Sequence, residues 1–325
     1  MTRISVILSA VLLLAIAGSV AIGSVPLPLE RMMAALVFSG PVGDQLVVWQ
    51  IRLPRALAAA VVGGSLGMCG AALQGLLRNP LAEPGILGVS ASSALAASGV
   101  LAFGITAAGP LTLPIAAIAG ALAATFILTI LTRQNGSALT LILVGVGISS
   151  FAGALMALVM NLAPNPFTLA DMVNWMLGSV ANRSLTDLAF AAPFIAAGCA
   201  MLLAGGRGLS ALALGEEAAA GMGLDLARQR LVITLGAGLA TGGAVALAGS
   251  IGFVGIVAPH LVRPHVRHDP ARVMIPAALL GALMLVAADV AVRLIPTDAE
   301  LKLGVVAALI GAPVFVWIAS RRRLA

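Results

Sequence analysis

The sequence predicts an all-α integral membrane protein with about ten transmembrane helices, and three observations carry that prediction. Sixty-one per cent of the 325 residues are hydrophobic, mean hydropathy is +1.11, and only 9% are charged. Uncharged runs of roughly 18 to 25 residues recur along the chain, longer than the helices of a soluble core require. The runs are continuous rather than alternating, with no Tyr and three Trp, so the ten-residue alternation and aromatic girdles of a transmembrane barrel are missing. Helices are then the spanning elements, because each satisfies its own backbone groups within one segment.

The first run, MTRISVILSAVLLLAIAGSVAIGSVP, has the basic end and small-residue stretch of a signal peptide. Its length and the many runs that follow favour a retained first helix. Further spans are expected at 54–76, 86–104, 113–132, 139–161, 189–205, 231–249, 252–263, 274–295 and 303–319, the segment 252–263 being too short to cross without flanking residues. With the amino end inside, Arg3, Arg78, Arg133, Arg207, Arg228, Arg230, Arg263, Arg267, Arg272 and Arg321 to Arg323 are cytoplasmic. Those are twelve of eighteen basic residues, against six outside (Arg31, Arg52, Arg55, Arg183, Arg293 and Lys302). The bias puts both termini in the cytoplasm.

Taken in order, the second span opens with IRLPRALAAA, which sets Arg52 and Arg55 three residues apart at its outer mouth. They read either as interfacial anchors or, with Arg293 on the same arginine-poor side, as forks for the carboxylates of an acidic partner docking from outside. Gly63 and Gly67 follow at the spacing that lets helix backbones approach closely. In RNPLAEPGILGVS, Pro80, Pro84, Gly85 and Gly88 break helical periodicity around Glu83, which reads as a plain turn or as an element of a pathway. Asp289, the other carboxylate near the hydrocarbon, has Arg293 one helical turn away and pairs naturally with it. GAALQG (70–75) and GAVALAG (243–249) are weak echoes in spans of opposite direction, a pattern seen in inverted-repeat transporters.

The stretch GEEAAAGMGLD at 215–225 concentrates Glu216, Glu217 and Asp225 in a chain with twelve carboxylates. It falls in a cytoplasmic loop at about 206–230. Glu216 and Glu217 open an Ala-rich turn, Gly221 and Gly223 end it, and Asp225 opens a second short helix that closes with Arg228 and Arg230. Acids first and bases last suit the helix dipole, and the product is a rigid knuckle with small side chains on it.

Several functions are excluded or disfavoured by the same residues. The basic groups lie at span edges rather than on one face, so nucleic-acid binding is not indicated. The only lysine is Lys302, in DAELKLG, which rules out a phosphate-binding loop in this chain. No Gly-x-Ser-x-Gly elbow or HExxH motif occurs. His260, His265 and His268 read as a basic helix end rather than a metal cluster, and Cys69 and Cys199 as small buried thiols.

The Glu-Ala-Ala-then-Gly pattern of the knuckle resembles the coupling-loop motif of ABC importer permeases. RLPRALAAAVVGGSLGMCGAALQGLLRNPLAEPGILGVSASSALAA (52–97) resembles the signature of the FecCD-type permeases for iron-siderophores, haem and cobalamin. GSIGFVGIVAPHLVRPHVRHDPARVMIP (249–276), AADVAVRLI (287–295) and GVVAALIGAPVFVWI (304–318) are similar to the later motifs of that family. The resemblance covers most of the chain in order. It implies a type II ABC importer permease fold with one permease domain over 1–325, in the bacterial inner membrane. It also implies a homodimer with the pathway on its axis, two separate ATP-binding cassette subunits and a periplasmic substrate-binding protein. ATP and Mg would sit on the partner ATPase, this chain being no enzyme and binding no cofactor or metal. By position, Glu216, Glu217, Ala218, Ala219, Gly221 and Gly223 would enter the ATPase cleft, and Arg52, Arg55 and Arg293 would meet glutamates of the binding protein.

Two departures stand out. Glu300 and Leu301 are followed by Lys302 where the family has Glu-Leu-Pro, which would let Lys302 add a fourth positive contact. HDPARVMIP differs from the family's Asp-His-Arg pattern, so His268 receives no role. The substrate expected from the resemblance is a ferric siderophore, with haem or cobalamin as alternatives. Rival readings are a proton-coupled secondary transporter using Glu83 or Asp289, and a membrane scaffold that moves nothing.

Overall fold

The computed structural model describes residues 3–23, 26–132, 137–295 and 300–321. All ten expected runs are helical: α1 (Arg3–Ala21), α4 (Leu53–Leu77), α5 (Val89–Ala102), α6 (Thr112–Leu131), α7 (Ala138–Asn161), α9 (Leu185–Ala204), α12 (Leu226–Ala248), α13 (Val254–Val262), α14 (Pro270–Leu294) and α15 (Leu303–Arg321). Five short helices lie between them: α2 (Leu29–Leu36), α3 (Val42–Leu46), α8 (Pro166–Met176), α10 (Gly206–Leu212) and α11 (Glu216–Gly221). Among the described residues, seven helical stretches are long and apolar enough to cross a membrane, and α5 and α15 add two shorter apolar ones. Arg133, Arg322 and Arg323 lie outside the described residues.

Helices α4, α12 and α14 form the centre, because their small residues let backbones touch. A Cβ on Gly63 would stand 2.2 Å from the Gly281 carbonyl oxygen, and one on Gly67 would stand 2.2 Å from that of Ala277. The spacing of Gly63 and Gly67 is therefore the α4–α14 contact itself. On the other side, Ser65 Oγ donates to Ala240 O of α12 at 2.9 Å. Helix α12 meets α9 in the same way, a Cβ on Gly198 falling 2.5 Å from Gly236 O. Dispersion between close backbones replaces the hydrophobic drive that lipid removes. The echoing segments 70–75 and 243–249 sit in α4 and α12, which run in opposite directions.

Two boundaries differ from expectation, for one physical reason. The second span does not open at Pro54: helix is continuous from Val42 to Leu77, with the turn Val47–Arg52 widened to π geometry. Pro54 has no N–H for the carbonyl four residues back, and a widened turn accommodates that loss. Likewise α12 opens at Leu226 rather than 231, so the expected second short helix of the knuckle is the first turns of a long one. In both places arginines near the boundary have partners inside the protein and do not end the helix.

Helix α13 is nine residues long, about 13 Å at the helical rise. The irregular residues 249–253 precede it, with Gly249 and Phe253 left-handed at φ +71° and +67°, and α13 alone is too short for a hydrocarbon core of about 30 Å. Non-helical backbone at that depth requires protein partners. Ser179 N donates to Ala248 O at 2.7 Å, and a Cβ on Gly304 would lie 2.9 Å from Ser250 O. Within α13, Pro259 cannot donate to Gly255 O, and Gln74 Nε2 of α4 does so instead at 3.2 Å. The Gln74 Oε1 atom in turn accepts from Arg263.

Candidate functional site

Residues 205–226 build the knuckle. Gln229 Nε2 donates to Gly205 O at 2.7 Å, closing the end of α9, and α10 then buries Leu209 and Leu212. Gly215, at φ +109°, turns the chain into α11. Its other end is a Schellman cap: Leu224 N donates to Ala219 O at 3.0 Å and Gly223 N to Ala220 O at 2.9 Å, with Gly223 left-handed at φ +87°. That backbone shape explains the glycine at 223. The Asp225 carboxylate then caps α12 by accepting Arg228 N at 3.0 Å.

The six expected knuckle residues divide by role. Glu216 pairs with Arg230 at 2.8 Å, tying α11 to the first turns of α12. Ala219 is fully buried. Glu217, Ala218, Gly221 and Gly223 are exposed, and beside them Leu214 and Met222 expose 69% and 59% of their surfaces. A second tie was not legible from the sequence: Ser210 Oγ of α10 donates to Asp269 at 2.6 Å, at the start of α14. The knuckle is thus a stiff, small-residue projection fastened to two of the three central helices.

Arg52, Arg55 and Arg293 are all turned inward. Arg52 is 4% exposed, and its Nη1 donates to Val20 O and Ala21 O at 3.0 and 2.9 Å. Arg293 donates to Ser19 O at 2.9 Å and to Ser19 Oγ at 2.6 Å, and pairs with Asp289 at 3.1 Å. Two guanidiniums therefore cap the carbonyl end of α1, where the helix leaves acceptors without partners and its dipole is negative. Arg55 pairs with Asp289, 1% exposed, at 2.8 Å and also with the half-exposed Glu300. Spacing alone could not reveal these partners, which come from α1 and from a segment 245 residues away.

Glu83 sits in the turns between α4 and α5, where its carboxylate accepts the Phe253 backbone N–H at the start of α13. It lies beside the start of α13, where a Cβ on Gly255 would stand 3.5 Å from the Cβ of Glu83. Asp289 is occupied by two guanidiniums, and Lys302 precedes α15. His265 and His268 are exposed in the turn before α14. Both cysteines are free thiols. Among the described residues no group of three or more His, Cys, Asp or Glu is placed to hold a metal.

Comparison with known proteins places this arrangement. The model of the FecCD transport family matches residues 11–321. An ABC transporter permease of uncharacterized function from Bacillus subtilis is 39% identical over 295 residues, covering 88% of this chain and 83% of the relative. The vitamin B12 import system permease of Vibrio cholerae is 39% identical over 279 residues, covering 86% and 84%. The cobalamin import system permease of Halobacterium salinarum is 38% identical over 295 residues, covering 90% and 78%. A solved structure, described as an inward-facing conformation of a candidate metal-chelate type ABC transporter, superposes with a TM-score of 0.87 at 29% identity, over 98% of this chain and 99% of the other.

Proposed function

The chain belongs to the FecCD transport family, and we propose that it is the membrane-spanning permease subunit of an ATP-driven importer of bulky metal chelates. One observation carries this reading. The knuckle is exposed, closed by a Schellman cap at the end of α11 and fastened to α12 and α14, so a force applied to Glu217 and Ala218 passes into the centre of the protein. A separate ATPase supplies that force, holding ATP and Mg itself. The chain works as a homodimer with two such ATPase subunits in the bacterial inner membrane, both termini cytoplasmic.

A periplasmic binding protein docks on the opposite end. Arg55 is the contact we assign to it, because one of its two carboxylate partners, Glu300, is itself half-exposed. Arg52 and Arg293 act beneath that surface by holding α1. Relatives named for vitamin B12 and cobalamin import support a corrinoid as the substrate, ahead of the ferric siderophore expected from the sequence.

Native mass spectrometry of the protein, gently solubilised after expression with its neighbouring genes, tests the assembly. The expected complex holds two 32.4 kDa chains and two ATPase chains. Recovery of the chain without any ATPase, from membranes whose substrate uptake persists after ATP depletion, would overturn it.

A further inference from the structure

A cavity of about 340 Å³ opens at the knuckle end of the molecule, between the end of α4, the end of α10 and the turn before α14. Arg78, Arg263 and His268 line it, together with Gln74, Ala213 and Pro270. No carboxylate is among its lining residues. The neighbouring Asp269 is engaged elsewhere, accepting from Ser210 and Ala271 and pairing with Arg272. Two of the lining residues sit where the chain turns: Arg78, at φ +49°, is the left-handed end of α4, and His268, at φ +60°, lies in the turn before α14.

Arg263 is aimed by Gln74, which also substitutes for the missing donor of Pro259. The side chains of Arg78 and His268 make no hydrogen bond or ion pair among the described residues. One uncommitted guanidinium, one anchored guanidinium and an imidazole around a carboxylate-free cavity match an oxyanion with several acceptor oxygens, because the guanidinium fork fits phosphoryl geometry and the imidazole N–H can donate as well.

We infer that this cavity is a binding site for a phosphoryl group, placed where its occupant would bridge α4, α10 and the start of α14 beside the knuckle. The group can arrive on a soluble phosphate compound or on an anionic lipid headgroup, and one experiment separates them. Hydrogen exchange in segments 74–80 and 263–273 is followed on the full-length protein in neutral detergent with inorganic pyrophosphate. It is then followed in nanodiscs of phosphatidylcholine with and without phosphatidylglycerol.

The variant R78N/H268N removes a guanidinium and an imidazole at exposed positions, and Asn tolerates the left-handed backbone. R3Q/R207Q removes two exposed cations outside the cavity. Protection by pyrophosphate that needs about tenfold or more ligand in R78N/H268N, and is unchanged in R3Q/R207Q, establishes a soluble occupant. Protection that appears only with phosphatidylglycerol and is lost in R78N/H268N establishes the lipid. No protection under either condition, or equal protection in both variants, overturns the inference. The inference does not depend on the transport reading.

Discussion

Glu216 and Glu217 are adjacent and acidic, yet the structure gives them different physics. Glu216 makes an ion pair with Arg230 whose side chains are 35% and 20% exposed, so its contribution to stability is small, about 0–1 kcal/mol. Glu217 touches solvent. Replacing Glu217 with Arg is expected to weaken association with the ATPase at least tenfold with unfolding unchanged, as read by pull-down and thermal scan. Glu216→Gln is expected to leave association nearly intact and to lower ATP-coupled uptake several-fold, because the knuckle is loosened from α12. The outer cluster gives the opposite pattern. Arg55→Gln strips a partner from Asp289, which is 1% exposed, and is expected to destabilise the protein by about 2–4 kcal/mol, with Arg293 retaining part of the pairing. Glu300→Gln removes a half-exposed partner and is expected to cost about 1 kcal/mol or less in the same unfolding measurement.

At the scale of elements, stability rests on backbone approach and on side chains that replace missing backbone donors. Gly67→Leu forces α4 from α14, since the first added carbon would stand 2.2 Å from a backbone oxygen. Loss of the monodisperse folded species on size-exclusion chromatography is the expected result. Gln74→Leu leaves Gly255 O without its side-chain donor and takes one acceptor from Arg263, a cost of about 1–3 kcal/mol. Adding Pro259→Ala returns an N–H to that carbonyl, so the double variant should recover part of the lost unfolding temperature. Apolar runs made the long helices legible from sequence, and the capping acids and glycines made α11 legible. The short helices α2, α3, α8 and α10 were not, because each is too brief for a periodic pattern to stand out. The pairing of Arg293 with Asp289 was legible from their spacing, whereas the hold of Arg52 and Arg293 on α1 was not, because charge at a span edge ordinarily marks the water boundary and here α1 offers its last carbonyls to them. No local signal identifies a partner that arrives from 274 residues away.

At the scale of the whole molecule, two differently built ends are joined by the central helices. The end opposite the knuckle is locked by guanidinium caps on α1 and a buried carboxylate between two arginines. The knuckle end is fastened through Glu216–Arg230 and Ser210–Asp269 to α12 and α14, each about 35 Å long. A displacement of the knuckle is therefore delivered to helices that reach the far side of the membrane. That geometry favours a partner-driven pump over a carrier that titrates Asp289, which is held by two arginines. The deciding measurement is corrinoid uptake into proteoliposomes carrying the chain with its ATPase and binding protein. The account predicts uptake that requires internal ATP and survives a protonophore. Uptake that continues without ATP and collapses with the proton gradient would contradict it.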